Sequence, residues 1–213
     1  MAVLVAGALA CEDPAKDKAK ATVGDAPAAT ATTTAAATNT AVMAGSESLK
    51  IDPQASKVEF VGSKVTGKHE GSFPTFSGTI DLVGGKPESS KIKVEIDTTS
   101  MKTDDEKLTK HLGSPDFFDT QKYPKATFES TAIKAGGEKG ATHTITGTLD
   151  LHGAKKTITF PATVAVGADA VTAKSEFSIN RKDFGINYAG KPNDLIRDDV
   201  VIKLDIKAPR KKT

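Results

Sequence analysis

From Leu49 onward, apolar residues recur at every second position, the period that sends alternate side chains to opposite faces of a β-sheet. Val58 and Phe60 alternate with charged neighbours, as do Ile80 and Leu82. The run "KIKVEID" sets Ile92, Val94 and Ile96 against Lys91, Lys93, Glu95 and Asp97. Ile145, Leu149 and Leu151 share one face of "HTITGTLDLHG", and Ile158, Phe160, Val164 and Val166 share one face of "TITFPATVAV". The final run, "VVIKLDIKA", aligns Val200, Ile202, Leu204 and Ile206. Short Gly-rich connections, "VGGKPESS", "AGGEKGAT", "LHGAKK" and "VGADA", fit hairpin loops. The pattern predicts an all-β antiparallel meander with one apolar face, and closure into a barrel buries that face while removing exposed edges.

Only Thr103 to Asp119 breaks the alternation. In "DDEKLTKHL", Leu108 and Leu112 stand four apart on one helical face, and Asp104, Asp105 and Glu106 suit the positive end of a helix dipole. Gly113 and Pro115 then stop the helix, and Phe117 and Phe118 follow. The expectation is one short helical segment that caps or gates a barrel end, its two phenylalanines acting as plug, gate or both.

Ahead of the alternating region lie two segments of different composition. Residues 1–11, "MAVLVAGALAC", are apolar up to the chain's single cysteine, too short to span a bilayer and suited to an export signal, although no basic residue leads them. Small residues before Cys11 resemble a bacterial lipobox, with Ala8 where Leu is usual; the expected role of Cys11 is lipidation, and an ordinary secretory signal with an incidental cysteine is the alternative. Residues 12–46, rich in Ala and Thr, predict a disordered tether with a root-mean-square span of roughly 30 Å. The domain boundaries are therefore 1–11, 12–46 and a barrel at 47–210, in an extracytoplasmic protein held at a membrane by a lipid anchor.

Composition narrows the function further. With 29 basic and 27 acidic residues among 213, and no Trp, the chain has neither the charge nor the stacking aromatics of a nucleic-acid surface. No nucleophile elbow, phosphate loop, Cys-x-x-Cys or His-Glu-x-x-His is present, so no catalytic or metal residue is assigned and no enzyme is expected. His69, His111, His143 and His152 are scattered; His111 with Asp116 and Asp119 gives no reason for metal convergence, His143 shares the parity of Ile145, and His152 sits in a turn. Arg181, Asp183, Arg197 and Asp198 form one charge constellation. Arg181 can fork onto an anionic or carbonyl group at the barrel mouth, or Arg181 and Asp183, two apart on a strand and so on one face, can pair with neighbours to fix the C-terminal hairpin.

The stretch "KLTKHLGSPDFFDTQKYPKATFES" resembles the signature of the YceI-like family of bacterial exported proteins. "VTGKHEGSFPTFSGTIDL", "ITGTLDLHGAKKTITFPATV" and "FSINRKDFGINYAGKPNDLIRDDVVIKLDIKA" resemble its other blocks in order, so that the likeness covers Leu49 to Ala208. The resemblance implies an extended lipocalin-like barrel whose interior holds an isoprenoid quinone, a polyprenyl lipid or another long amphiphile, and a homodimer. It implies no other cofactor. An Arg-Asp pair of many members is replaced here by Leu108 and Thr109, so no role tied to it carries over. The candidate binding surface is then Phe60, Ile80, Ile92, Val94, Ile96, Phe128, Ile145, Leu149, Ile158, Phe160, Phe177, Ile179, Ile202 and Leu204, with His111, Phe117, Phe118 and Arg181 at the mouth. The competing reading is a stress-response interaction module with a solidly packed barrel that binds a protein partner.

Overall fold

Alternation becomes curvature because a sheet with one apolar face gains most by wrapping that face around itself. The computed structural model describes residues 12–26 and 46–210. Its strands are β1 Ala19–Lys20, β2 Thr22–Asp25, β3 Ser46–Lys50, β4 Lys57–Lys64, β5 Gly67–Ser72, β6 Phe76–Val83, β7 Lys86–Asp97 and β8 Lys102–Thr103, followed by helix α1 at Glu106–Leu112. They continue with β9 Lys125–Ala135, β10 His143–Leu151, β11 Ala154–Val166, β12 Ala170–Asn180, β13 Gly190–Lys191, β14 Asp194–Leu195 and β15 Asp199–Pro209.

The main sheet runs β3-β6-β7-β9-β10-β11-β12-β15-β4-β5-β8. It curls into a barrel, and its first edge returns to the far wall where the Asp52 N–H donates to the Lys207 carbonyl at 2.9 Å. Among the described residues the all-β antiparallel expectation is met, with one short α-helix. Asp105 caps α1 by accepting from the amides of Lys107 and Leu108, at 2.7 and 3.0 Å. The amides of Leu108 and then Lys107 also hold its carboxyl below the ordinary aspartate value.

The interior contains two apolar clusters. Phe60, Phe73, Phe76, Ile80 and Leu49 belong to one, and Ile145, Ile158, Phe160, Phe177 and Phe184 to the other. Ile92, Ile202 and Leu204 touch both, so they form the waist between them. Outward positions on the same strands carry ion pairs such as Lys125 with Glu95 at 2.7 Å and Lys93 with Glu129 at 3.2 Å. An outward face of this kind lacks the apolar band of a membrane-spanning barrel.

Two expectations are corrected. Residues 12–26 are not part of a free tether: β1 pairs in parallel with β12, and β2 pairs antiparallel with β11. The apolar side of these strands is made of Ala19, Ala21 and Val23, small enough that composition hides it. Residues 27–45 and the leading segment with Cys11 lie outside the described residues. The second correction concerns Arg181 and Asp183, which do not share a strand face; Arg181–Phe184 is a 3₁₀ turn capped by the Asn180 side chain and closed by Gly185 in the left-handed region at φ 75°.

Close approach explains one glycine in the wall. Gly147 sits beneath the Phe128 ring, where an added Cβ would run into both that ring and the Glu129 carbonyl. Gly147→Ala is expected to destabilise the barrel by about 1–3 kcal/mol through overpacking, measured as a lowered thermal midpoint.

Candidate ligand-binding cavity

Strand parity converges on a cavity. It measures about 190 Å³, and its lining includes Phe60, Ile80, Ile92, Val94, Ile96, Phe128, Ile145, Leu149, Phe160, Phe177, Ile179, Arg181 and Ile202, all expected from the sequence. Several of these, among them Ile92, Val94, Ile96 and Ile202, are only half-buried because they face this internal void. No polar atom is exposed on its wall. Such a surface binds hydrocarbon by desolvation, at roughly 25 cal/mol per Å² removed from water, and offers a head group nothing.

Aromatic rings are concentrated at two places along the wall. Phe60, Phe73 and Phe118 meet with centroids 5.5–6.2 Å apart, while Phe160 stacks on Phe177 at 4.3 Å with Phe128 beside it. The paired phenylalanines after α1 therefore part company. Phe118 lines the cavity, whereas Phe117, 6 % exposed, is absent from the lining and packs against His111 at 5.0 Å and Tyr188 at 5.1 Å. The same ring group draws His111 away from the cavity, and its Nε2 lies 3.0 Å from the Asp116 carboxylate. These rings join the α1 segment to the loop after the 3₁₀ turn, so two pieces of irregular chain hold each other.

Arg181 takes the second of its two expected roles. It is 5 % exposed, and its guanidinium donates to the carbonyls of Ile186 at 2.6 Å, Arg197 at 3.2 Å and Ile196 at 3.5 Å, and to Asp198 at 3.1 Å. Burial pulls it below the usual guanidinium range, with Asp198 opposing that shift. Its stem faces the cavity while its donors bind the loop from Ile186 to Asp198. A second tie holds that loop, since Asp194 accepts from Lys64 at 2.6 Å and from Thr66 at 2.8 Å. Asp183 takes no part in the cavity lining.

His143 is nearly buried beside Glu88 at 3.6 Å, and His152 Nδ1 donates to the Phe184 carbonyl at 3.1 Å. Neither lines the cavity. Among the described residues no three His, Cys, Asp or Glu side chains come together as a metal site.

The YceI-like domain is matched over residues 49–208. The chain belongs to the YceI-like family. A UPF0312 protein of Pseudomonas putida strain W619 is 37% identical over 139 residues, which is 62% of this chain and 71% of that protein. Among solved structures, Burkholderia cenocepacia BcnA superposes with a TM-score of 0.66 at 28% identity, over 74% of this chain and 99% of that one. A polyisoprenoid binding domain from Saccharophagus degradans shares the fold at a TM-score of 0.61 and 19% identity, over 78% of this chain and 99% of that one. The matched domain begins after β1 and β2, so the N-terminal strands lie outside it.

Sequence reasoning missed part of the lining. Ala162 and Ala173 continue the parity of Phe160 and Phe177, but their small side chains gave no hydrophobic signal. Ile51, Phe73 and Ile186 come from connections, where no period exists to follow. Arg181→Met is expected to leave three carbonyls without their donor and to cost roughly 2–4 kcal/mol, read by chemical denaturation.

Proposed function

We propose that this protein is an extracytoplasmic, non-enzymatic carrier that holds the tail of an isoprenoid lipid, of quinone or polyprenyl type, inside the barrel. The observation that carries the reading is the wholly apolar wall running through both aromatic clusters and the Ile92, Ile202 and Leu204 waist. A tail without polar groups suits that wall, and the head group then stays outside it. The likeness in fold to a polyisoprenoid binding domain supports the same class of ligand. The export and lipid-anchor part of the proposal is supported by the apolar run ending at Cys11.

Size sets a condition on this binding. An engineered cavity of about 150 Å³ accommodates a benzene ring, so 190 Å³ holds roughly one or two five-carbon units. A longer tail must displace side chains or wall as it enters.

Native mass spectrometry of the full chain, with organic extraction of co-purifying material, tests the proposal. A stoichiometric isoprenoid is expected; a ligand-free chain that also refuses added quinones and polyprenyl lipids would move the assignment to a packed module with a protein partner. Ala126 lines the cavity and is buried, so Ala126→Phe is expected to lower uptake at least about tenfold while circular dichroism still reports a β-barrel, overpacking costing only about 1–3 kcal/mol.

A further inference from the structure

One wall of the barrel is not continuous. Strands β11 and β12 form a hairpin, yet they pair only from Thr163 to Val166 and from Val171 to Lys174. Beyond that they separate. Pro161 has no N–H to give a ladder, and its carbonyl instead accepts from the Ser175 hydroxyl at the fork. Two unpaired edges, residues 156–159 and 177–178, face the gap, and the N-terminal segment fills it. Ala19 and Lys20 pair with Phe177 and Ser178 of β12, the Ala21 N–H donates to the Ser178 carbonyl at 2.8 Å, and Thr22 to Asp25 pair with Thr159 to Lys156 of β11.

The inserted strand is a weakly held stave of the barrel. Two and four residues pair in β1 and β2, against eleven in the neighbouring β12–β15 ladder. Its apolar contribution is Ala19, Ala21 and Val23, whereas the staves beside it carry Ile158, Phe160, Phe177 and Ile179. Ahead of it Ala15 packs on Val61 and Val201 and Asp13 accepts from Arg197 at 3.4 Å, and nearer the strand lie the ion pairs Lys18 with Glu176 at 2.9 Å, Lys20 with Asp199 at 2.8 Å and Asp25 with Lys156 at 2.7 Å. These last three have at least one partner a third or more exposed, a setting in which such pairs contribute little and are screened by salt. Directly behind it, Ile158, Phe160, Phe177 and Ile179 line the cavity.

We infer that the seam between β11 and β12 is the portal through which an apolar chain reaches the cavity, and that residues 19–25 close it as a displaceable strand. The inference rests on the carrier reading, and it supplies the wall movement that a cavity of 190 Å³ requires of a long tail. Releasing the strand uncovers a slot flanked by apolar side chains and two strand edges, while the family domain at 49–208 keeps its own ladder.

Thr22 and Thr159 are paired across the seam, so their Cα separation falls within the range a disulfide bridges. The test uses the full chain carrying Thr22→Cys, Thr159→Cys and Cys11→Ser, and follows transfer of a radiolabelled polyprenyl alcohol from phosphatidylcholine vesicles. Oxidation is expected to slow transfer at least about tenfold and reduction to restore it, the ladder opening locally far more often than the barrel unfolds. Equal rates in both states, with uptake intact, overturn the portal and leave the carrier reading standing. No uptake in either state overturns the carrier reading and the portal with it. In the unmodified chain, those amides of residues 21–25 and 156–159 that donate across the seam are expected to exchange hydrogen at least about tenfold faster than those of the β12–β15 ladder; equal protection of these amides would also overturn the portal.

Discussion

Hiding the apolar face of one long antiparallel sheet is the constraint on which this molecule depends. No second layer covers that face, so the sheet must curl until the face lines its own interior. Curvature brings Ile92, Ile202 and Leu204 from distant strands to one waist and sets the two ring clusters on either side of it. The same curvature leaves a void, because side chains projecting from a wide wall do not all reach the axis. Half-buried Ile and Val on the inner face are the trace of that void in the exposure of single residues.

A curled sheet also has ends and a seam, and these are where regular structure stops. One set of closures is irregular chain: the α1 segment and the loop from Ile186 to Asp198 are joined through His111, Phe117 and Tyr188, with Arg181 donating four hydrogen bonds across the loop's base. Burying a guanidinium is costly, and here each direction of its fork meets an acceptor. Its charge is therefore committed to structure and is not free to grip a head group. The seam is closed differently, by a strand from outside the family domain whose small side chains fit between larger staves.

The N-terminal strand changes what the leading segment can do. A chain that re-enters the wall at Ala19 stands only eight positions after Cys11. Were Cys11 acylated, the barrel would sit against the bilayer with its seam nearby, and the long Ala/Thr-rich stretch would link strand to barrel instead of barrel to membrane. Ala15 packs on the outward-facing Val61 and Val201, so even the residues before the strand lie along the barrel surface.

Alternation alone determined the class of fold, the inner and outer face of nearly every long strand, and fourteen lining residues, because side-chain direction in a strand follows from position parity and needs no partner. It also placed the helix, whose start and stop are written locally in Asp105 and Gly113. The partners of those strands were decided only by tertiary structure. Phe117 and Phe118 are adjacent and equally apolar, and only the packing of Tyr188 and Phe60 sends one to the ring group and the other to the cavity. The segment "AKATV", Ala19 to Val23, alternates like the later strands, yet alanine gains too little from burial to show as apolar against lysine. Its strand exists because β11 and β12 part at Pro161, a gap in the ladder that no local reading of either sequence contains.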